Sequence, residues 1–389
     1  MRYIYYLCSL LIGTLIELLS LFTKLDPNRI VFNSTNNTNF NFNSKYLFLY
    51  LLNHENKYNV YFVVNDKIAL KKLKSNYGDH FISTNTLKGL FVSAKAKFWI
   101  SSVLETPYLS LPIVKNKSRI VYHLGHGVPL KKIGLAEANI SKFQYLNRWL
   151  RTKRFTHVLS YSQFYKSIMY ESFKNPSISF VYLGQPRNDQ LTITNEQSFD
   201  HVSTIYPQIT RSSKLILYAP TWRDYSITQF FPFSNLNPIK FNEQLKKENI
   251  YLLLREHPYY PSVVPEDFQN LSNVLFFNSD IFPEIMDYLS LFDKLITDYS
   301  SIYLDFLCLN KPIAFIPYDL DEYIANVGFN VDYFTISPGP KITSFSDFQR
   351  FIFTAEDLYH EDRARVMRLI NCKSSGNCKE NTDFINSLG

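Results

Sequence analysis

Four short segments of this 389-residue sequence set titratable side chains in patterns that would present them. In the first, Gly125 and Gly127 bracket His126, and Lys131 and Lys132 follow closely. Flanking glycines permit a tight turn and a close approach, and an imidazole on such a turn suits a general base near neutral pH. An ordinary loop histidine is the plainer alternative. His123 still lies in the preceding apolar run and reads as a packed, hydrogen-bonded residue. In the second segment Thr221 and Arg223 follow Ala219-Pro220, where a guanidinium would take two phosphate oxygens at once. A surface arginine would look the same. In the third, three leucines run into Arg255 and His257, alternate residues that share one side of an extended chain and suit an anion. In the fourth, Thr297-Asp298-Tyr299-Ser300-Ser301 stands between a strand-like run and a helical one that contains Asp305. Backbone N–H groups at a helix start, with the positive end of its dipole, bind phosphate without a glycine loop. Asp298 would repel that phosphate, so it is expected to cap the helix, orient a histidine or hold a hydroxyl. A plain helix cap is the alternative for the whole segment.

Each segment follows a short β-branched or aromatic run, and helix-length stretches separate those runs. The first series of strands is expected at 29–32, 60–64, 80–83, 98–101, 119–123, 157–160 and 180–183, with helices such as 86–94, 142–153 and 163–173. The second is expected at 214–218, 251–254, 274–277, 294–297 and 313–316, with helices near 242–248, 283–289 and 301–309. This alternation marks βαβ units and parallel sheets. The expected architecture is α/β: two doubly wound domains facing a central cleft, with ligands at the carboxyl ends of their strands. The polar stretch 192–213 holds the boundary. The expected division is 1–28 as an apolar helix, 29–200 as an N-terminal domain and 201–389 as a C-terminal domain. The asparagine-rich stretch 33–43 reads as a solvated loop.

The composition narrows the classes. Residues are 46% hydrophobic and 19% charged, with 33 Phe and 28 Tyr against only 11 Gly, which excludes collagen-like and disordered chains. No GxGxxG or GxxxxGK[ST] occurs, which argues against a dinucleotide-binding or P-loop protein. The net charge of +7 suits an anionic substrate or an anionic membrane surface as well as nucleic acid. No recognised nucleic-acid motif accompanies it, so no nucleic-acid partner is expected. No carboxylate pair has metal-ligand spacing, so neither a metal nor another cofactor is expected. Cys8, Cys308, Cys372 and Cys378 suggest a reduced compartment, with pairing of the last two left open.

Residues 3–22 have Glu17 as their sole charge. Ser9, Gly13, Glu17, Ser20 and Lys24 recur at helical spacing and form one polar stripe. A lipid-spanning helix has no use for such a stripe, and a central Glu would cost ~3 kcal/mol or more. The expectation is a helix lying in a membrane interface, or docked on the protein with one wet edge. A signal-anchor and a signal peptide are the alternatives. Arg148, Arg151, Lys153 and Arg154, beside Trp149, would add surface attraction or form an ordinary solvated face.

Taken in order, the segments resemble the CDP-glycerol glycerophosphotransferase family of teichoic-acid and capsule synthesis, from residue 29 to about 341. The resemblance rests on His126-Gly127-Val128-Pro129-Leu130-Lys131, Gly184-Gln185-Pro186-Arg187-Asn188-Asp189, and Ala219-Pro220-Thr221-Trp222-Arg223. It continues in His257-Pro258, Thr297-Asp298-Tyr299-Ser300-Ser301, Lys311-Pro312 with Asp319 and Tyr323, and Pro338-Gly339-Pro340. It implies a GT-B-like arrangement with a CDP-glycerol donor in the C-terminal domain and a membrane-linked saccharide or polymer acceptor in the N-terminal one. By that resemblance His126 is the catalytic base and His257 assists the departing phosphate. Lys131, Arg187, Thr221, Arg223, Arg255, Thr297, Asp298, Ser300, Ser301 and Asp305 bind substrate. The chain would work at the cytoplasmic face of the cell membrane. Gly125 and Val128 replace the family's usual Trp and Thr, which implies a roomier, less polar pocket beside the base. Rival readings are a GT-B glycosyltransferase using a nucleotide sugar, a CDP-ribitol ribitolphosphotransferase, and a catalytically silent polymer-binding module. The compact chain resembles the shorter, single-addition members.

Overall fold

The computed structural model describes residues 2–137, 140–193, 196–257, 260, 262–371 and 373–389. The chain divides into two compact units. One comprises Met1–Val128, Ile133–Asp189 and Asn371–Gly389; the other comprises Pro129–Lys132 and Gln190–Ile370.

The first unit is built on seven parallel strands: β1 (Asp26–Asn33), β2 (Asn59–Val63), β3 (Phe81–Ile82), β4 (Ala96–Ser101), β5 (Ile120–His123), β6 (His157–Leu159) and β7 (Ser179–Val181). Their order is β3-β2-β1-β4-β5-β6-β7. Ile30, Val31 and Phe32 are fully buried, as strands covered on both faces require. The chain adds strands outward from β1 on one side, then returns to β4 and builds outward on the other. Between β1 and β4 successive connections leave in opposite directions, so a crevice opens at the strands' carboxyl ends.

The second unit repeats this plan with β8 (Lys214–Tyr218), β10 (Ile250–Leu254), β12 (Val274–Phe276), β13 (Lys294–Thr297) and β14 (Ile313–Phe315), ordered β12-β10-β8-β13-β14. Its reversal lies between β8 and β13, where Leu295 pairs with Leu217. All five residues of β10 are buried. A separate two-stranded ribbon, β9 (Thr228–Gln229) with β11 (Ser262–Val263), was not foreseen; two residues are too few to produce a period.

The α/β class and the two parallel sheets agree with the expectation, while several boundaries do not. Pro129–Lys132 already belong to the second unit, and the main passage into it falls after Asp189 rather than at residue 200; a helix, Glu196–Ile205, occupies the polar stretch expected to hold the boundary. Residues 371–389 return to the first unit. There the Asp189 carboxylate accepts from the amides of Asn377 and Cys378 at the start of the helix Asn377–Ser387. The Asn381 side chain donates to the Gly184 carbonyl and accepts from the Tyr122 hydroxyl. The helix expected at 283–289 is a pair of 3-10 turns, Ile285–Asp287 and Leu289–Leu291. The one expected at 242–248 starts earlier, at Pro238, a residue suited to the first helical turn, behind an Asn237 cap. The pairing considered for Cys372 and Cys378 involves a residue outside those described; Cys378 is free and buried.

The N-terminal helix, Arg2–Ser20, inverts the expectation. Its polar stripe faces the protein. Glu17 is 1% exposed, accepts from the Tyr108 hydroxyl at 2.7 Å and the Asn116 amide at 3.2 Å, and lies 3.4 Å from Arg119. Thr14 accepts the Leu111 amide, and Gly13 lies so close to the Leu109 carbonyl that any Cβ would overlap it. The loop after β4 thus finds in this stripe the partners its polar groups need. Ile4, Leu7, Leu11, Leu15, Leu18 and Phe22, equally helical in spacing, face outward, Leu11 at 67% exposure and Phe22 at 88%. No described helix is long and apolar enough to cross a membrane.

Candidate active site

In the first unit the turn after β5 carries His126. Gly125 and Gly127 both sit at positive φ, +69° and +144°, a region costly for other residues. The His126 ring is exposed, and its Nδ1 lies 3.3 Å from the Ser102 carbonyl. A carbonyl only accepts, so this contact places the proton on Nδ1 and makes Nε2 the basic nitrogen. The Phe42 ring lies 5.2 Å from the imidazole.

Two residues brace this turn. The Asn43 side chain donates to the carbonyls of Leu124 and Gly125, at 3.2 and 2.9 Å, and accepts the Arg187 amide. Arg187 donates through Nη1 to the His126 carbonyl at 2.6 Å. Arg187, expected to touch substrate, is 7% exposed and holds the base in place. The asparagine-rich stretch is solvated only in its middle, where Asn36 and Asn39 are exposed; Asn33, Ser34 and Asn43 at its ends are fully buried. Asn43 was missed because its role depends on two chain segments far away in sequence. The space beside Gly125 is not roomy either. A Cβ there would meet the Tyr161 hydroxyl at 1.8 Å, so a buried tyrosine occupies the place of a larger residue. His123 packs edge-on against Phe155 and Phe173, and its Nδ1 has no hydrogen-bond partner among the described residues. Burial first, and His126 second, push it down to about 3, so it stays neutral.

In the second unit the segments gather at the β8–β13 reversal. Arg223 is fully buried. Its guanidinium engages Asp319 through Nε at 2.6 Å and Nη2 at 2.8 Å, Asp298 at 2.9 Å and the Thr221 carbonyl. Burial opposes the charge, but the two carboxylates raise the pKa above its ordinary value. Arg223 therefore ties together the ends of β8, β13 and β14, and its side chain does not reach solvent. Asp298 accepts the amides of Thr221 and Tyr299 and caps no helix. The Thr297 hydroxyl donates to the Ala219 carbonyl, and Asp305 is 2% exposed. Ser301 occupies the N-cap position of a five-residue helix, Ile302–Phe306, without a side-chain cap bond. Ser300 and Ser301 remain partly exposed.

Alternation explains the inversion at 221–223. In extended chain Thr221 and Arg223 share a side, here the interior, and Trp222 faces the other way. Trp222 stacks on Tyr260 at 4.0 Å and lies 5.6 Å from His257, while Lys131 stands 4.8 Å from its centroid. Arg255 donates to the carbonyls of Phe277 and Phe282, both at 3.0 Å. Unlike Arg223, it has no carboxylate within ion-pair distance among the described residues. Burial lowers it to about 10, with Glu284 and Tyr288 opposing. Burial also lowers the His257 pKa, as do Lys131 and Arg255. Pro258, of the expected His-Pro pair, lies outside the described residues. Lys131, His257 and Arg255, with Trp222 and Tyr260, thus make a positive, aromatic edge suited to an anion attached to a flat ring.

Two doubly wound parallel sheets, a histidine on a braced turn and a cationic edge place the chain among α/β enzymes of the nucleotide-dependent transferase type. The chain belongs to the CDP-Glycerol:Poly(glycerophosphate) glycerophosphotransferase family, whose profile matches residues 15–381. It is 30% identical to the teichoic acid poly(glycerol phosphate) polymerase of Bacillus spizizenii over 80% of this chain and 79% of that one. It is 28% identical to a teichoic acid glycerol-phosphate transferase of Staphylococcus aureus, over 82% of each chain. Its fold is similar to that of the wall teichoic acid polymerase TagF, with a TM-score of 0.73 at 20% identity, covering 96% of this chain and 92% of that one.

Proposed function

We propose that the chain transfers glycerol phosphate from CDP-glycerol to a hydroxyl of a glycerol phosphate polymer or a membrane-linked saccharide, releasing CMP, in teichoic-acid-like polymer synthesis. The family and the relatives support the donor and the reaction. The observation that carries the mechanism is the contact of His126 Nδ1 with the Ser102 carbonyl, which favours the tautomer in which Nε2 is the basic nitrogen. Nε2 takes the hydroxyl proton as that oxygen attacks the β-phosphorus. The bond from this phosphorus to the bridging oxygen breaks, and CMP leaves with the electron pair. Arg255, His257 and Lys131 stabilise the charge that develops on the phosphates. His257, neutral until an anion arrives, then hydrogen-bonds to or protonates the departing phosphate. The test is His126→Ala: CMP release is expected to vanish while CDP-glycerol binding stays within about twofold. Wild-type turnover by that variant would sink the assignment. Running CDP-glycerol beside CDP-ribitol and UDP-sugars, and scoring CMP against UDP, separates the rival donors.

The acceptor is reached at a membrane surface, on its cytoplasmic side. The outward apolar stripe of the N-terminal helix supports this reading, since burying such a face in a lipid interface removes it from water. Of the basic cluster 148–154, little contributes. Arg148 pairs with Glu137, Arg151 with Glu105, and Arg154 is buried beside a cavity, which leaves Lys153 on the open surface. Leu11→Ser with Leu15→Ser, which spares Glu17, is expected to release the protein from vesicles; undiminished binding would refute the membrane reading.

A further inference from the structure

Beside the inner face of the N-terminal helix lies a cavity of about 200 Å³ lined by Glu17, Trp99, Lys115, Lys117, Arg119 and Arg154. Its charges do not balance. Glu17 is the one carboxylate in this lining, and it is engaged by Arg119, Tyr108 and Asn116. Arg119 also donates to the carbonyls of Ser93 and Ala94 and lies over the Trp99 ring. Arg154 is in a different position. It is 5% exposed; among the described residues its guanidinium has one hydrogen bond, from Nη2 to the Leu111 carbonyl, and no carboxylate within ion-pair distance. Burial lowers its pKa, and Glu17, already engaged by Arg119, opposes that only from beyond ion-pair distance. A buried guanidinium without an ion-pair partner is a costly arrangement, and it lines the cavity. Exposed Lys115 and Lys117 stand at the mouth, and Lys115 donates to the Lys153 carbonyl. The proximity of Arg154, Lys153 and Lys117 adds to burial in lowering the Lys115 pKa, the sign of cations crowded together without a counter-charge.

The site adjoins the apolar surface. Asn116, between the two lysines, donates to the carbonyl of Ser20 and to Glu17, so the cavity is fastened to the helix whose outer stripe is exposed. Ile113, two residues before Lys115, is 84% exposed.

We propose that this cavity binds the phosphate of an anionic lipid headgroup, with the acyl chains against the outward stripe of the N-terminal helix. The inference rests on the membrane reading above and names the chemistry the surface selects. A guanidinium fork takes two phosphate oxygens, and the lysines add charge at the rim. Free phosphate or a soluble phosphate ester offers the same oxygens; the adjoining apolar surface favours the lipid.

The test uses the full-length protein with vesicles of phosphatidylcholine alone or mixed with phosphatidylglycerol. Wild type is expected to bind the mixed vesicles about tenfold more tightly or better, on the scale of two surface cations. Lys115→Gln with Lys117→Gln should remove that preference and leave binding to neutral vesicles unchanged. Arg154→Lys, which keeps the charge but loses the fork, should reduce the preference in part. Leu11→Ser with Leu15→Ser should weaken binding to both vesicle types. Neutral-vesicle binding with no anionic preference in wild type, or a preference that survives the lysine substitutions, overturns the headgroup site and leaves the membrane reading standing. Absence of binding to either vesicle overturns both. Inorganic phosphate or glycerol phosphate raising the wild-type Tm, but not that of the lysine variant, without any vesicle preference, assigns a soluble-phosphate site and overturns the lipid.

Discussion

Arg187 donates from Nη1 to the main-chain carbonyl of His126 at 2.6 Å, so an arginine of one family motif sets the position of the histidine of another. Its own amide is held by Asn43, which also holds the two residues before His126. Shortening this brace should misplace the base without touching the donor. Arg187→Lys is expected to lower kcat by about 10- to 100-fold, the scale of a misplacement near 1 Å, with the CDP-glycerol KM within about threefold. Steady-state CMP release checks this. A rise in KM at constant kcat would indicate direct substrate contact instead.

Arg223 and its two carboxylates predict a stability defect. Arg223→Met leaves Asp298 and Asp319 buried without their partner and should cost about 3–5 kcal/mol by urea unfolding. Adding Asp319→Asn should recover part of the loss. Unchanged stability with lost donor affinity would instead make Arg223 a phosphate ligand.

Arg255 offers the opposite case, a cation whose partners are carbonyls. Arg255→Gln should weaken CDP-glycerol binding about 10- to 100-fold by calorimetry, the scale of hydrogen bonds to a charged group. Added salt should shrink the difference between wild type and variant.

His257 has its pKa held below the ordinary 6.5 by burial, Lys131 and Arg255, and is neutral in the free enzyme near neutral pH. A bound diphosphate favours the charged form. Donor binding should therefore take up a proton and tighten as pH falls toward 6. Titrations in buffers of different ionisation enthalpy measure that uptake, and His257→Gln should abolish it.

His123 contributes to the acid limb of stability. Its folded pKa is about 3 against an ordinary 6.5, so the unfolded chain binds the extra proton between these values. The stabilisation is complete above pH 6.5 and is lost as pH falls, with a slope of about 1.4 kcal/mol per pH unit. The unfolding free energy of wild type, less that of His123→Phe, should fall by about 1.4 kcal/mol per pH unit as pH drops from 6.5 to 4.

Strand placement was legible because parallel strands covered on both faces are short apolar runs, and 214–218 and 294–297 match the structure residue for residue. The positions of His126, Arg255 and His257 at strand ends followed from the same runs. Side-chain direction was not legible at Thr221 and Arg223, since alternation fixes which residues share a face and not which face turns inward. Asn43 escaped because its partners lie at 124, 125 and 187.

The N-terminal helix shows the same division. From the sequence alone came a helix with a stripe at Ser9, Gly13, Glu17 and Ser20, along with two series of parallel strands and a histidine between glycines. A helical period reads the same whether the polar stripe faces water or protein. Only the tertiary structure decided it, by bringing Tyr108, Asn116 and Arg119 to Glu17. A buried carboxylate is tolerated where partners surround it, and that pairing turned the apolar stripe outward.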